Sequence, residues 1–147
     1  MLSALPIAHP RSPWKLAIVT GRSQSDSCAL SNVQLRFLEG LEDYLRCQAC
    51  GVPVHAVIRR NFPFVEDQDV ASPPSLWRAS LANLRQYLFA RTIRYRRQAA
   101  SHWQALLDSS DQTNLIAGSC GLELLVRSIE SLRIERPINV LALGPVA

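Results

Sequence analysis

Leu115-Ile116-Ala117-Gly118-Ser119-Cys120-Gly121-Leu122-Glu123-Leu124-Leu125 is the stretch on which the reading of this chain turns. Asn114 to Gly118 is a short apolar run closed by glycine, which reads as a strand. From Gly121 onward Leu122, Leu125, Ile129 and Leu132 recur at helical spacing. Between the two lies a small-x-Ser-x-Gly turn. A serine presented on a strand-to-helix turn needs small residues two positions to either side, because the turn is strained and larger side chains clash. Ala117 and Gly121 meet that need around Ser119, which makes Ser119 the candidate nucleophile. The following helix would aim its N-terminal dipole and free N–H groups at the site, with the N–H of Cys120 as an oxyanion donor. Shifting the register by one makes Cys120 the nucleophile. Leu122 then stands where a small residue is wanted, so Ser119 is preferred. The plainer alternative is a tight turn that uses Gly118 and Gly121 for backbone reasons alone.

Working outward, the chain alternates apolar runs with helical patterns. Residues 14–20 read as a first strand, followed by a loop of turn formers over residues 21–27. Ser31 or Asn32 caps a helix whose apolar positions are Val33, Phe37, Leu38, Leu41, Tyr44 and Leu45, with Gly51 as its stop. Residues 52–58 read as a second strand and residues 61–74 as a polar, proline-punctuated loop. A long helical region runs from Ser75 to about Leu107, with a break expected near Ser101. Its Trp77, Leu81, Leu84, Leu88, Tyr95, Ala99 and Leu106 fall within an arc of roughly 60°. Residues 138–143 form a fourth strand ahead of Gly144-Pro145. The order β-α-β-α-β-α-β predicts a three-layer, Rossmann-like α/β domain with a mostly parallel four-stranded sheet. Near-continuous apolar runs predict strands buried on both faces. Residues 1–13 are expected to be an irregular N-terminal segment and residues 14–147 one domain.

Composition narrows the function classes. Hydrophobic residues make up 48% of the 147 and charged residues 19%, which excludes disorder. No apolar run approaches the roughly 18 residues of a membrane span, and the proline-bearing N-terminus does not read as a signal peptide. A cytoplasmic protein with reduced thiols is expected. The net charge of +4 is carried almost wholly by arginine, Lys15 being the sole lysine. Arg78, Arg85, Arg91, Arg94, Arg96 and Arg97 fall in a stretch without acids. They read as a solvated helix face, so nucleic acid is not an expected partner. Cys47-Gln-Ala-Cys50 is a lone CxxC at a helix end. Cys28 and Cys120 do not pair with it at zinc-ribbon spacing, so neither metal nor cofactor is expected. His55 reads as a core or strand-face histidine rather than a ligand, and His102 as a surface or interface one.

The chain resembles the central part of an α/β-hydrolase. The strand ending Thr20-Gly21 resembles the strand before the oxyanion loop, and Val57-Ile-Arg-Arg-Asn-Phe-Pro63 the next strand and loop. Ala117-Gly-Ser-Cys-Gly121 resembles the nucleophile elbow, and Asn139 to Val146 the strand after it. The resemblance implies that the first and third strands are neighbours, with a ligand crevice between them. It implies Ser119 as nucleophile, the N–H groups of Cys120 and Gly21 as oxyanion donors, and Arg22 and Ser23 as substrate-binding loop residues. An ester or thioester substrate is then expected. The family order places the acid and the histidine after the serine. Here only Glu123, Glu130 and Glu135 follow Ser119, while His9, His55 and His102 precede it. The triad is therefore incomplete in these residues, and an unassisted serine is a poor nucleophile. The competing expectations are a non-catalytic interaction protein, self-associating or docking a partner, and a phosphate-binding Rossmann-like domain using the loop after the first strand. If downstream strands are missing, the fourth strand is an exposed edge.

Overall fold

The computed structural model describes residues 6–20, 29–47, 56–63 and 76–144. Eight elements follow one another: β1 (Ser12–Val19), α1 (Asn32–Cys47), β2 (Val57–Asn61), α2 (Leu76–Ala90), α3 (Ile93–Asp108), β3 (Ser110–Gly118), α4 (Cys120–Ile129) and β4 (Ile138–Leu143). The strands are all parallel, in the order β2-β1-β3-β4. The chain winds outward in both directions from β1, so the switch point lies between β1 and β3, where ligands bind in sheets of this kind.

Alternation along the strands divides the core. One face of the sheet carries Leu16, Ile18, Val57 and Ile116 against Leu30 and Leu38, with Leu35 and Leu41 of α1 packed alongside. The other carries Ala17, Val19, Ile58, Leu115 and Ala117 against Trp103 and Leu106 of α3 and Leu124 and Leu125 of α4. These two layers on one sheet are the α/β arrangement that the alternation of patterns predicted. α1 begins in a reciprocal cap. The Ser31 N–H donates to Gln34 Oε1 (2.8 Å) and the Gln34 N–H to Ser31 Oγ (3.3 Å), as a capping box does.

Four expectations need correction. The long helical region breaks at Thr92, not Ser101. The Thr92 hydroxyl donates to Phe89 O (2.8 Å), and its oxygen accepts from the Tyr95 N–H (3.4 Å) as the N-cap of α3. Ser101 sits inside α3 and donates to Gln98 O (2.8 Å).

The apolar stripe of α2 faces outward: Trp77 is 87% exposed, and Leu81, Leu84 and Leu88 are about half exposed. Among the described side chains of α2, Gln86 and Ala90 are the buried ones, and both lie on the side opposite that stripe, since two positions are about 200° of helix.

β2 continues to Asn61, beyond the expected end at Ile58, and β3 starts at Ser110, before Asn114. Strand pairing with β1 extends both.

β4 has the expected bounds, and its exposure is that of the edge strand that was the alternative expectation, not that of a strand buried on both faces. Val140, Leu141 and Leu143 are 44–54% exposed. β4 is the outer strand, and among the described residues no neighbour pairs with its free edge.

Candidate functional site

β3 ends at Gly118 and α4 begins at Cys120, so Ser119 alone makes the turn. Its backbone has φ 53° and ψ −137°, and it is the sole non-glycine residue with positive φ among those described. For a residue with a Cβ this region costs about 1–3 kcal/mol, and it persists where the surroundings over-determine it. Those surroundings are visible. A Cβ on Gly121 would stand 2.5 Å from the carbonyl carbon and oxygen of Val19. The first turn of α4 is thus pressed against the end of β1, and only glycine fits. A Cβ on Gly118 would meet Leu143 O at 3.1 Å. With Ala117 fully buried, the small residues around Ser119 each answer to a neighbouring strand.

A serine at the start of a helix ordinarily has β-region backbone and accepts a hydrogen bond from an N–H of the first turn. Ser119 has neither feature: its side chain makes no capping bond. Its backbone oxygen accepts from the Leu122 N–H (3.1 Å), and its Oγ lies 3.9 Å from Cys120 Sγ. Ser119 is exposed while Cys120 is buried. The Cys120 thiol points into the protein, 3.5 Å from Asn83 O of α2. The Cys120 N–H belongs to the first turn and has no acceptor within the helix.

Ser119 opens onto a crevice of about 570 Å³ at the carboxyl ends of β1, β3 and β4. Ile18, Ile116 and Leu143 come from the strands, and Val33 and Phe37 from α1. The polar lining beside Ser119 is Thr20, Gln34 and Asn83. Thr20 is held firmly. Its N–H donates to Asn61 Oδ1 (2.9 Å), its carbonyl accepts from Asn61 Nδ2 (3.3 Å), and its hydroxyl accepts from Gln34 Nε2 (3.4 Å). The buried Asn61 thereby fixes the exit of β1. Asn83 Oδ1 is buried and has no hydrogen-bond partner among the described residues. Sequence reading missed Asn61 and Asn83. A polar residue closing a β-rich run was the only hint of the first, and nothing marked the second.

Gly21, Arg22 and Ser23, expected at the oxyanion and substrate loop, lie outside the described residues, as do His55 and Cys50. Cys47 is an exposed free thiol. Neither His9 nor His102 lines the crevice. His102 is 1% exposed, which corrects the surface-or-interface reading: it sits beside Trp103 on the inward side of α3. Among the described residues no carboxylate lines the crevice. None of their His, Cys, Asp and Glu groups cluster to hold a metal, and no helix is long and apolar enough to cross a membrane. The α2–α3 arginines Arg78, Arg85, Arg91, Arg94 and Arg97 are exposed and Arg96 is half-buried. Arg91 lies over the Tyr87 ring, 4.4 Å from its centroid. A smaller hollow of about 240 Å³, lined by residues that include Asp108 and Arg136, lies at the other end of the sheet.

Comparison with protein-family models, with curated proteins and with solved structures found no match.

Proposed function

We propose that this chain is an α/β-hydrolase-like core of esterase or thioesterase type, with Ser119 as its nucleophile. The observation that carries the reading is the strained turn of Ser119, pressed onto β1 through Gly121, with its hydroxyl free of capping duty at the switch-point crevice. Strain of this kind is retained where it positions a reacting group. The exposed Ser119 is preferred to the buried Cys120 as nucleophile. The Cys120 N–H, at the positive end of α4, is one oxyanion donor. The Gly21 loop would supply the other, and Arg22 and Ser23 would contact the substrate. No described side chain in the crevice can take the Ser119 proton. These residues alone should therefore react once with an activated reagent and turn over ordinary esters poorly.

The test is labelling by a fluorophosphonate, read by intact-mass spectrometry. The reading expects one adduct, at Ser119, absent from Ser119→Ala. An unlabelled chain, or labelling that survives the substitution, would refute it.

A second reading is favoured by the bare edge of β4: a non-catalytic interaction protein that adds a strand from a partner or from a second copy. Sheet edges without charge or proline invite such pairing. It predicts concentration-dependent association in sedimentation velocity that Leu141→Lys suppresses.

A further inference from the structure

We propose that the crevice beside Ser119 is an acyl groove: it takes the unbranched aliphatic chain of an uncharged ester or thioester, laid across β3 between α1 and β4. The inference rests on the reading of Ser119 as nucleophile and names the substrate class for it.

The lining is the first argument. Ile18 and Ile116 form a floor at the ends of β1 and β3, and Leu143 of β4 closes one side. Val33 and Phe37, one helical turn apart on α1, form the other side. From β1 to β4 the floor crosses two strand spacings, about 10 Å, enough for an extended chain of medium length. Gly118 leaves the floor without a side chain next to Ser119.

Charge is the second argument. The chain has 16 basic and 12 acidic residues, yet none of the described lining residues is charged. A phosphate or carboxylate group on a substrate would find no counter-charge among the described lining side chains, and burying such a group unpaired is costly. An aliphatic chain would lie on Ile18, Ile116, Val33, Phe37 and Leu143, with the polar Thr20, Gln34 and Asn83 gathered beside Ser119 at its carbonyl end.

Exposure is the third. Val33 is 78% exposed, Phe37 48% and Leu143 51%. Grouped apolar exposure of this kind marks a binding groove or an interface. A helix or a second copy laid on these side chains would cover the Ser119 hydroxyl. An acyl chain would bring its carbonyl to it.

The experiment compares two fluorophosphonates that differ only in an ethyl or octyl substituent. In each reaction the Oγ–P bond forms as the P–F bond breaks, and the hydroxyl proton passes to solvent with the fluoride. Labelling rates at Ser119 are read by peptide mass spectrometry, with Ser119→Ala as the blank. Six further methylenes in an open apolar groove should accelerate labelling at least about tenfold. Phe37→Ser and Leu143→Asp should each bring the octyl-to-ethyl ratio toward one. Both side chains are half exposed, so both variants are expected to fold, as circular dichroism would check. Equal rates with Ser119 labelled would overturn the groove and leave the nucleophile standing. No labelling by either reagent would remove the nucleophile and the groove with it. Absence of octyl preference, together with self-association abolished by Leu143→Asp, would make the groove a copy interface and overturn the proposal.

Discussion

Ser119 is paid for in backbone energy, and that gives a prediction at the scale of one residue. Glycine populates positive φ without a Cβ penalty, so Ser119→Gly should relieve the strain. Against it stands the extra unfolded-state freedom of glycine, about 0.5–1 kcal/mol. A net gain of about 1 kcal/mol is expected from the strain typical of such positions, seen as a higher urea midpoint. Ser119→Ala keeps the Cβ and should show no gain. If Ser119→Gly is the less stable, the turn is not strained. The pattern Ala-Gly-Ser-Cys-Gly made this residue legible, because nucleophile turns demand small neighbours in sequence. Asn61 was illegible for the opposite reason: its two bonds to Thr20 span 41 positions, and no local pattern encodes a partner that distant. Asn83 was equally hidden, its burial being set by how α2 is rotated.

Among the elements, α2 shows where periodicity misleads. Trp77, Leu81, Leu84 and Leu88 define an apolar stripe as clearly as any in the chain, and periodicity assigns that stripe to the core. The structure buries Gln86 and Ala90 instead, while the stripe stays in solvent. Periodicity reports that a helix has two faces, not which one the remainder of the fold occupies. α1 was read more nearly: Leu38 is buried and Leu41 and Leu45 are half-buried, while Val33, Phe37 and Tyr44 point outward.

α1 is tied to β2 by a pair that no spacing announced. Arg59, half exposed, bonds the carboxylate of Glu42, whose side chain is 8% exposed. Removing the arginine leaves a carboxylate in a poorly solvated place, whereas removing the acid leaves a cation that can turn to water. Arg59→Ala should therefore cost more than Glu42→Gln, by about 1 kcal/mol given solvent screening of the arginine. Chemical denaturation of the two variants decides it, and an equal or reversed order would show that the pair adds nothing beyond surface attraction.

For the whole molecule, the parallel sheet and its two core layers follow from the alternation of patterns, whereas the adjacency of β1 and β3 was implied only by the resemblance that the chain bears. The role of the N-terminal residues was implied by neither. The segment before β1 packs onto the sheet. His9 lies against Phe62 with ring centroids 5.8 Å apart and the rings tilted at 48°, Phe62 lies 4.6 Å from Trp103, and the buried Lys15 donates its ammonium to Pro10 O. Burial holds the Lys15 pKa below its ordinary value. Burial first, and then electrostatic interaction with Lys15, Arg60 and His102, lower the pKa of His9 from 6.5 to about 4. Its Nε2 is buried and has no hydrogen-bond partner among the described residues. The neutral ring is thus favoured in the folded state. The stability it confers is fully present above pH 6.5, where the unfolded ring is also neutral, and is lost as pH falls from 6.5 toward 4. For a half-exposed ring the effect should be about 1 kcal/mol. It would appear as the part of the acid-side loss in denaturation midpoint that His9→Phe abolishes. An identical pH profile in that variant would show that the ring titrates as it does in water.

The central place of β1 has a consequence for biosynthesis. Of the four described strands β1 leaves the ribosome first, yet its longest pairing, from Ser12↔Ser110 to Val19↔Ala117, is with a strand made much later. At ordinary translation rates that delay is about 5–20 s. Among the described strands, β2 alone can shelter one of its edges in the meantime. Leu16 to Val19, which end up almost wholly buried, are incompletely covered until β3 is made, as a nascent apolar segment of the kind that holdase chaperones bind. The strand that organises the finished sheet is therefore the one whose survival during translation depends most on the cell.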